Sequence, residues 1–347
     1  MPATRTALKI ATRRSPLAIS QANEVAGALA ELAESERLDQ LPPCELLPVS
    51  TTGDYLEDTP LNKIGGEGVF VKEVQAAVLS GSADIAVHSA KDIPSVEVDG
   101  LIIGCVLERA DPRDALVSDV DSIFDLPASA LVATGSIRRR SQLSWIRPDL
   151  NFCQIRGNIH TRLNKIKSSA DAGIIAMAAI ERLEIDESNI HPIHTSMMLP
   201  QAGQGILAVE CRSGDYEIRD YLSRINDETA YLELLAERAF LRTLSGGCNL
   251  PVGVLATASR ANPLFPSARA EPAQAEPAQI SAQMNGILGA HSSAIIEMTG
   301  MIASRNGRAL IRQSLIGMNP EELGAALAQD LLVKQGGDSL MNPNREY

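Results

Sequence analysis

Residues 131–166 read L-V-A-T-G-S-I-R-R-R-S-Q-L-S-W-I-R-P-D-L-N-F-C-Q-I-R-G-N-I-H-T-R-L-N-K-I. Two short apolar runs, Leu131–Thr134 and Asn151–Ile155, each pass through a glycine into a stretch with apolar residues at helical spacing, Arg138–Ile146 and Ile159–Ile166. A strand that feeds a helix, twice in succession, points to parallel βαβ units and an α/β fold. The same texture extends outward. Leu8–Thr12, Glu45–Ser50, Asp84–Val87 and Leu101–Leu107 read as strands, as do Asp114–Val117, Gly173–Ala176 and Ile206–Cys211; Pro16–Glu34 and Val69–Leu79 read as helices. Asp111-Pro112-Arg113 is a plausible hinge, and the strand at Ile206–Cys211 is expected to return the chain to the first domain.

From Asp227 the pattern changes. Glu228–Leu244 reads as a long helix stopped at Gly246-Gly247. Val252–Thr257, Ile280–Met284, His291–Thr299 and Gly307–Ser314 read as strands, and Pro320–Lys334 as a helix. This describes a smaller α+β domain. Ala258–Gln279, with its tandem Ala-Glu-Pro-Ala-Gln, reads as a disordered surface insertion. The expected division is residues 1–110 with 204–224, then 111–203, then 225–347.

The opening stretch also concentrates charge. Between Thr134 and Lys167 lie eight cations (Arg138, Arg139, Arg140, Arg147, Arg156, Arg162, Lys165 and Lys167) and one anion, Asp149. The formal charge of the chain is −12, so that window carries +7 and the remainder −19. Such segregation suggests an anion site. The cations of the whole chain are 24 Arg and 7 Lys, and guanidinium forks suit carboxylate or phosphate. Aromatics make up only 3%, which argues against a nucleic-acid partner. Met1–Ile10 lacks an apolar leader and no stretch is long enough for a bilayer span, so a soluble cytoplasmic protein is expected. The five cysteines show no metal spacing and no disulfide framework; no metal is expected.

Three strand-to-helix junctions carry arginine: Arg13-Arg14-Ser15-Pro16 after the first strand, Gly135 to Arg140, and Arg156-Gly157-Asn158 followed by Arg162. Free N–H groups at helix starts already favour anions there. The plain alternative for any one arginine is a solvated basic helix face. Lys91-Asp92 closes a buried-looking strand and is either a structural pair or a carboxylate placed to balance a cationic intermediate. Cys248 lies on a glycine turn, away from any apolar run: an incidental cap residue or a covalent anchor. The polar stretch Thr51–Glu67 has the length of a lid.

Read together, ordered motifs resemble the porphobilinogen deaminase (hydroxymethylbilane synthase) family. They are I-A-T-R-R-S-P-L-A at 10–18, D-I-A-V-H-S-A-K-D-I-P at 84–94, D-P-R-D-A at 111–115 and G-S-I-R-R-R-S-Q-L at 135–143. R-G-N-I-H-T-R-L at 156–163, G-Q-G at 203–205 and A-E-R-A-F-L-R-T-L-S-G-G-C at 236–248 complete the set. The resemblance implies two α/β domains like those of solute-binding proteins and a smaller C-terminal α+β domain. It implies a transferase of tetrapyrrole (haem, porphyrin) biosynthesis that deaminates four porphobilinogen molecules and joins them head to tail. The chain grows on a dipyrromethane cofactor, held by a thioether to Cys248, and is released as 1-hydroxymethylbilane. Asp92 takes the catalytic position, stabilising the positive azafulvene formed as ammonia leaves. Lys91, Asp92, Thr134, Ser136, Arg138, Arg139, Arg156 and Arg162 match cofactor-binding positions, and Arg13, Ser15 and Arg182 match substrate-binding ones. Lys63 and Phe70 are the lid residues; the family's frequent second lid lysine is replaced by Glu67. Ala90 and Ala179 are small packing changes from its common pattern. A monomer with a small-molecule substrate is implied. The alternative reading is an anion or polycarboxylate receptor without catalysis.

Overall fold

The computed structural model describes residues 6–38, 41–55, 68–185, 188–244, 250–260 and 294–341. The chain begins with β1 (Leu8–Arg13), α1 (Pro16–Glu36), β2 (Cys44–Val49), α2 (Lys72–Leu79), β3 (Ile85–Ser89) and β4 (Leu101–Val106). It continues with β5 (Asp114–Val117), β6 (Leu131–Ala133), α3 (Ile137–Ile146), β7 (Asn151–Cys153), α4 (Ile159–Ser169), β8 (Ala172–Ala176), α5 (Met177–Arg182) and β9 (Ile190–Pro192). Next come β10 (Leu207–Arg212), α6 (Tyr216–Arg224), α7 (Glu228–Thr243), β11 (Val252–Arg260), β12 (Ala294–Ala303), β13 (Leu310–Gly317), α8 (Pro320–Gln329) and α9 (Gly337–Met341).

Three sheets organise these elements. The first is ordered β2-β1-β3-β10-β4, the second β7-β6-β8-β5-β9 and the third β11-β12-β13. The fold is therefore α/β in its first two sheets, with a small antiparallel sheet and packed helices at the C-terminal end. In the first two sheets β1 pairs in parallel with β2 and β3, and β6 with β7 and β8. The expectation of parallel units holds for these strands only. β10 runs antiparallel between β3 and β4, and β5 runs antiparallel between β8 and β9. Each is the strand that enters a sheet directly from the other body of the chain, without a helix crossover to set a parallel direction.

The cores follow the sheets. Leu8, Ile10, Val25, Leu29, Ile85 and Val209 pack in the first, and Leu116, Val132, Leu143, Ile174 and Met198 in the second. Phe240 of α7 and Leu327 of α8 lie against Val254, Ile296 and Met298 in the third. Helix starts are capped by the residues that the sequence offers for that purpose. Ser15 Oγ accepts from Ala18 N at 3.3 Å with Pro16 in the first turn, Ser136 Oγ accepts from Arg139 N at 3.4 Å, and Asn158 Oδ1 from Thr161 N at 3.0 Å.

Several boundaries differ from expectation. α5 and β9 are too short to stand out by periodicity alone, whereas α6 carries Ile218, Tyr221 and Leu222 on one buried face at helical spacing and lies outside the expected elements. Ala258–Arg260 belong to β11, because Ala258 and Ser259 pair with Ile296 and Ile295, so the strand runs into the expected insertion. The Pro320–Lys334 helix changes at Asp330 from α to one π turn. α7 ends at Thr243, and Gly246-Gly247 and Ile280–Met284 lie outside the described residues.

Candidate active site

The end of β3 passes directly into a single 3-10 turn, Ala90–Asp92. Gly203 makes this turn possible: its φ is +73°, and a Cβ there would come within 2.9 Å of Lys91 N and 3.0 Å of the Ala90 carbonyl carbon. Asp92 is half-buried, and its carboxylate makes no hydrogen bond among the described residues. Lys91 donates to Gln204 Oε1 at 3.4 Å. Burial pulls the Lys91 ammonium down to about 8, with Asp92 opposing and Arg139 adding to the effect.

Across from this turn lie the helix starts of the second sheet. Arg162 is pulled down to about 10, first by burial and then by repulsion from Arg139 and Arg156; Asp92 opposes this, and Arg13 adds to it. The three arginine-bearing junctions and the Asp92 turn therefore share one electrostatic neighbourhood. Arg162 Nε donates to Gly157 O at 2.8 Å, which fixes the side chain over the α4 start. Arg156 is half-buried, burial lowers its pKa, and its guanidinium makes no hydrogen bond among the described residues. Thr134 is buried beside them, its Oγ1 accepting from Ser136 N at 3.3 Å.

Arg138 and Arg139 are the deepest cations of the set, at 3% and 8% exposure. Both reach one buried carboxylate. Arg138 Nη1 meets Asp114 Oδ2 at 2.7 Å and Leu199 O at 2.7 Å; Arg139 meets Asp114 Oδ1 through Nη2 at 2.7 Å and Nε at 3.1 Å. Burial alone would raise the Asp114 carboxyl, but the two guanidiniums hold it well below the usual carboxylate range. The pair is thus built into the fold by internal partners, which charge density along the sequence does not reveal. Arg138 Nε remains buried without an acceptor among the described residues.

Half of the basic window serves other ends. Arg147 donates to Asp149 and to the carbonyls of Ile123 and Leu126, closing the end of α3. Arg140 lies over the Phe152 ring at 5.7 Å, and Lys165 caps the Arg156 carbonyl at 3.2 Å from an exposed position. Lys167 sits in the last turn of α4.

On the first-sheet side, Arg13 stacks over Phe70 at 4.3 Å, and Phe70 lies where a Cβ on Gly53 would sit. Glycine at 53 leaves the room that the ring occupies beneath Arg13. Arg182 donates to Glu24 at 3.0 Å and to Gly205 O at 3.0 Å, joining α5 to α1 and to the chain that returns to β10. Lys63, Glu67 and Cys248 lie outside the described residues.

Two family models match the chain. The porphobilinogen deaminase "dipyromethane cofactor binding domain" matches residues 8–220, and the porphobilinogen deaminase C-terminal domain matches residues 231–265. Among curated proteins, the porphobilinogen deaminase of Paenibacillus macerans is 39% identical over 336 residues, covering 96% of this chain and 99% of the relative. That of Bacillus pumilus (strain SAFR-032) is 37% identical over 334 residues, with 95% of each covered. The chain belongs to the porphobilinogen deaminase family. A substrate-binding protein of an amino acid ABC transporter is also similar, at 12% identity and TM-score 0.36 over 63% of this chain and 91% of that one. At that distance the likeness adds nothing to what the sheets show.

The family's dipyrromethane carries acid arms and pyrrole N–H groups, and the residues present suit both. Arg138 Nε is a buried donor awaiting an acceptor, Arg156 has an unengaged guanidinium, and Asp92 has an unengaged carboxylate. No cluster of metal ligands occurs among the described residues, and no helix there is long and apolar enough to cross a membrane.

The supports of the site are not among the residues that the sequence singles out. Asp114 and Gln204 lie inside D-P-R-D-A and G-Q-G, and neither motif gives them a role. An acid in a strand otherwise all apolar (Asp114-Ala-Leu-Val) is the available signal, since a fully buried carboxylate needs cationic partners. Glu237 and Arg109 escape notice in the same way; Arg109 Nη1 donates to Glu237 Oε1 at 2.8 Å and Glu233 Oε2 at 3.2 Å.

Proposed function

We propose that this protein deaminates porphobilinogen and joins four molecules of it head to tail, with Asp92 as the catalytic residue and Cys248 as the attachment point of the dipyrromethane. The observation that carries this reading is the Asp92 carboxylate, unbonded and half-buried, in the field of Lys91 and Arg162. A receptor that only held anions could use a carboxylate to brace its arginines, as Asp114 does, but would have no use for one left unbonded among its cations.

The dipyrromethane supplies a fixed primer whose free pyrrole end accepts the next unit. Lys91, Arg138, Arg156 and Arg162 hold acid arms through charge-assisted hydrogen bonds, with Thr134 and Ser136 beside them. Arg139 keeps Arg138 and Asp114 in place. Arg13, Ser15 and Arg182 orient the incoming substrate, and Phe70 braces Arg13. Asp92 accepts the pyrrole N–H and stabilises the positive charge that grows on the substrate ring as its aminomethyl group loses ammonia. The bound primer would supply the ring carbon that takes this methylene in exchange for its own proton, while Asp92 holds the charged substrate ring in place. In this reading residues 1–110 with 204–224 carry Asp92, 111–203 the arginine set and 225–347 the cysteine. The protein acts as a cytoplasmic monomer.

Incubation with porphobilinogen tests the reading: four ammonia molecules should be released for each 1-hydroxymethylbilane. Binding without ammonia release would contradict it.

A pH dependence follows from Lys91. Its ammonium must be charged to hold an acid arm, and in the ligand-free protein it titrates near 8. Association of porphobilinogen with the apoprotein should therefore weaken as pH rises through about 8. Once an acid group is bound beside the lysine, the opposite charge raises its pKa and the limb moves upward. Lys91→Arg, charged throughout, should remove the limb. An unchanged limb in that variant would place the titrating group elsewhere. For stability the sign is opposite. The folded pKa lies below that of a free lysine, so the buried charge costs stability at neutral pH, and the cost is relieved between about 8 and about 10.4.

A further inference from the structure

The tripeptide Gly203-Gln204-Gly205 lies where the three sheets meet. Gly203 N donates to Glu237 Oε2 of α7 at 2.6 Å, and Arg109 Nε donates to Gln204 O at 3.0 Å. Gly203 and Gly205 both have positive φ, +73° and +93°, and a Cβ on Gly205 would collide with Ala110 O. The tripeptide is wedged between the Asp92 turn on one side and the crossing segment 107–113 on the other. This leaves the Gln204 side chain 1% exposed and in one orientation. Its Nε2 donates to Pro112 O at 2.8 Å and to Asp114 Oδ1 at 3.0 Å, while its Oε1 accepts from Lys91 Nζ at 3.4 Å. The amide cannot be flipped without opposing donor to donor and acceptor to acceptor.

A continuous chain of polar contacts results. It runs from Lys91, after β3 of the first sheet, through Gln204 to Asp114 on β5 of the second, and on to Arg138 and Arg139 of α3. We propose that Gln204 is a positioning residue for the reaction: it fixes Lys91 relative to the Asp114-held arginines, so that cations from two sheets act as one acid-binding unit. This rests on the function proposed above, but it concerns a residue that touches neither substrate nor primer. Charged groups that bear on Lys91 include Asp92, Asp114, Arg138 and Arg139, and the neutral Gln204 links the lysine to the last three.

Two variants separate positioning from mere packing. Gln204→Met keeps the volume and removes the acceptor from the ammonium, so Lys91, followed by NMR in the apoprotein, should titrate lower than in wild type. Gln204→Glu puts a carboxylate beside the ammonium and should move the titration upward. A variant that only loosened the junction would admit water and move both upward together. In the apoprotein Gln204→Met should weaken porphobilinogen binding on the order of 10-fold, while enzyme already carrying its primer should nearly keep kcat. That magnitude is typical of a hydrogen bond to a charged group, and acid arms are held alike in ground and transition states. Titrations that move upward together, or that stay at the wild-type position, would overturn the proposal. If neither variant folds, the wild-type protein decides. The Gln204 side-chain amide resonances should shift with the Lys91 midpoint near 8, and independence of the two would overturn the proposal equally. Ammonia release by the wild type is read separately, so failure of this inference leaves the reaction standing.

Discussion

Asp92→Ala should fold, retain the dipyrromethane, and lose turnover by on the order of 10²–10³, the loss seen when a single preorganised group facing developing charge is removed. The reason is electrostatic. Lys91 and Arg162 make the neighbourhood cationic, which suits acid arms but opposes a positive charge on the substrate ring. Asp92 is the anion on the 3-10 turn that closes β3, and its carboxylate has no competing hydrogen bond among the described residues. Removing it leaves binding largely intact, because the arms are held by other groups, so kcat should fall far more than KM rises. Asp92→Asn should lose nearly as much, since shape is kept and charge is not. Single-turnover kinetics with porphobilinogen would measure this. Near-normal turnover in either variant would remove Asp92 from the catalytic role.

The second large effect is on stability. Asp114→Ala should destabilise the protein by about 3–5 kcal/mol, because two buried guanidiniums would lose their shared carboxylate. Arg138 and Asp114 are 3% and 0% exposed, so water cannot readily take the place of the anion. Denaturant unfolding would report the loss as a lower midpoint. Asp114→Asn should cost less, because the amide oxygen can still accept from one arginine. The pH sign is that of a depressed carboxyl. Its contribution is complete above the unfolded value of about 3.9 and is lost only as pH falls below that through the much lower folded value. A change within about 0.5 kcal/mol for Asp114→Ala would mean that the arginines find other partners on relaxation.

The sheets and the site were legible in the sequence to different degrees. Strands such as Leu8–Arg13 and Leu207–Arg212 stood out because a mainly apolar run too short for a helix suits a strand buried in a sheet. Their direction did not: β5 and β10 are antiparallel for reasons of chain path, which local periodicity does not record. Charge density points to the arginine-bearing junctions but includes cations that serve other ends. Arg147 and Lys165 meet nearby carbonyls and Arg140 lies over Phe152, and nothing in the spacing of these residues distinguishes them from Arg156. Asp114 and Gln204 were hidden for a different reason. Their importance lies in partners 24 to 113 positions away, Arg138 and Lys91, which only the folded chain brings near.

Growth of a pyrrole chain on a primer fixed to Cys248 is tested by the intact mass of the purified, denatured protein, followed by peptide mapping. The expected result is a mass excess of two linked pyrroles, located on the peptide that contains Cys248 and absent from Cys248→Ser. A chain that stays unmodified after incubation with porphobilinogen, or an adduct that persists in Cys248→Ser, would contradict it.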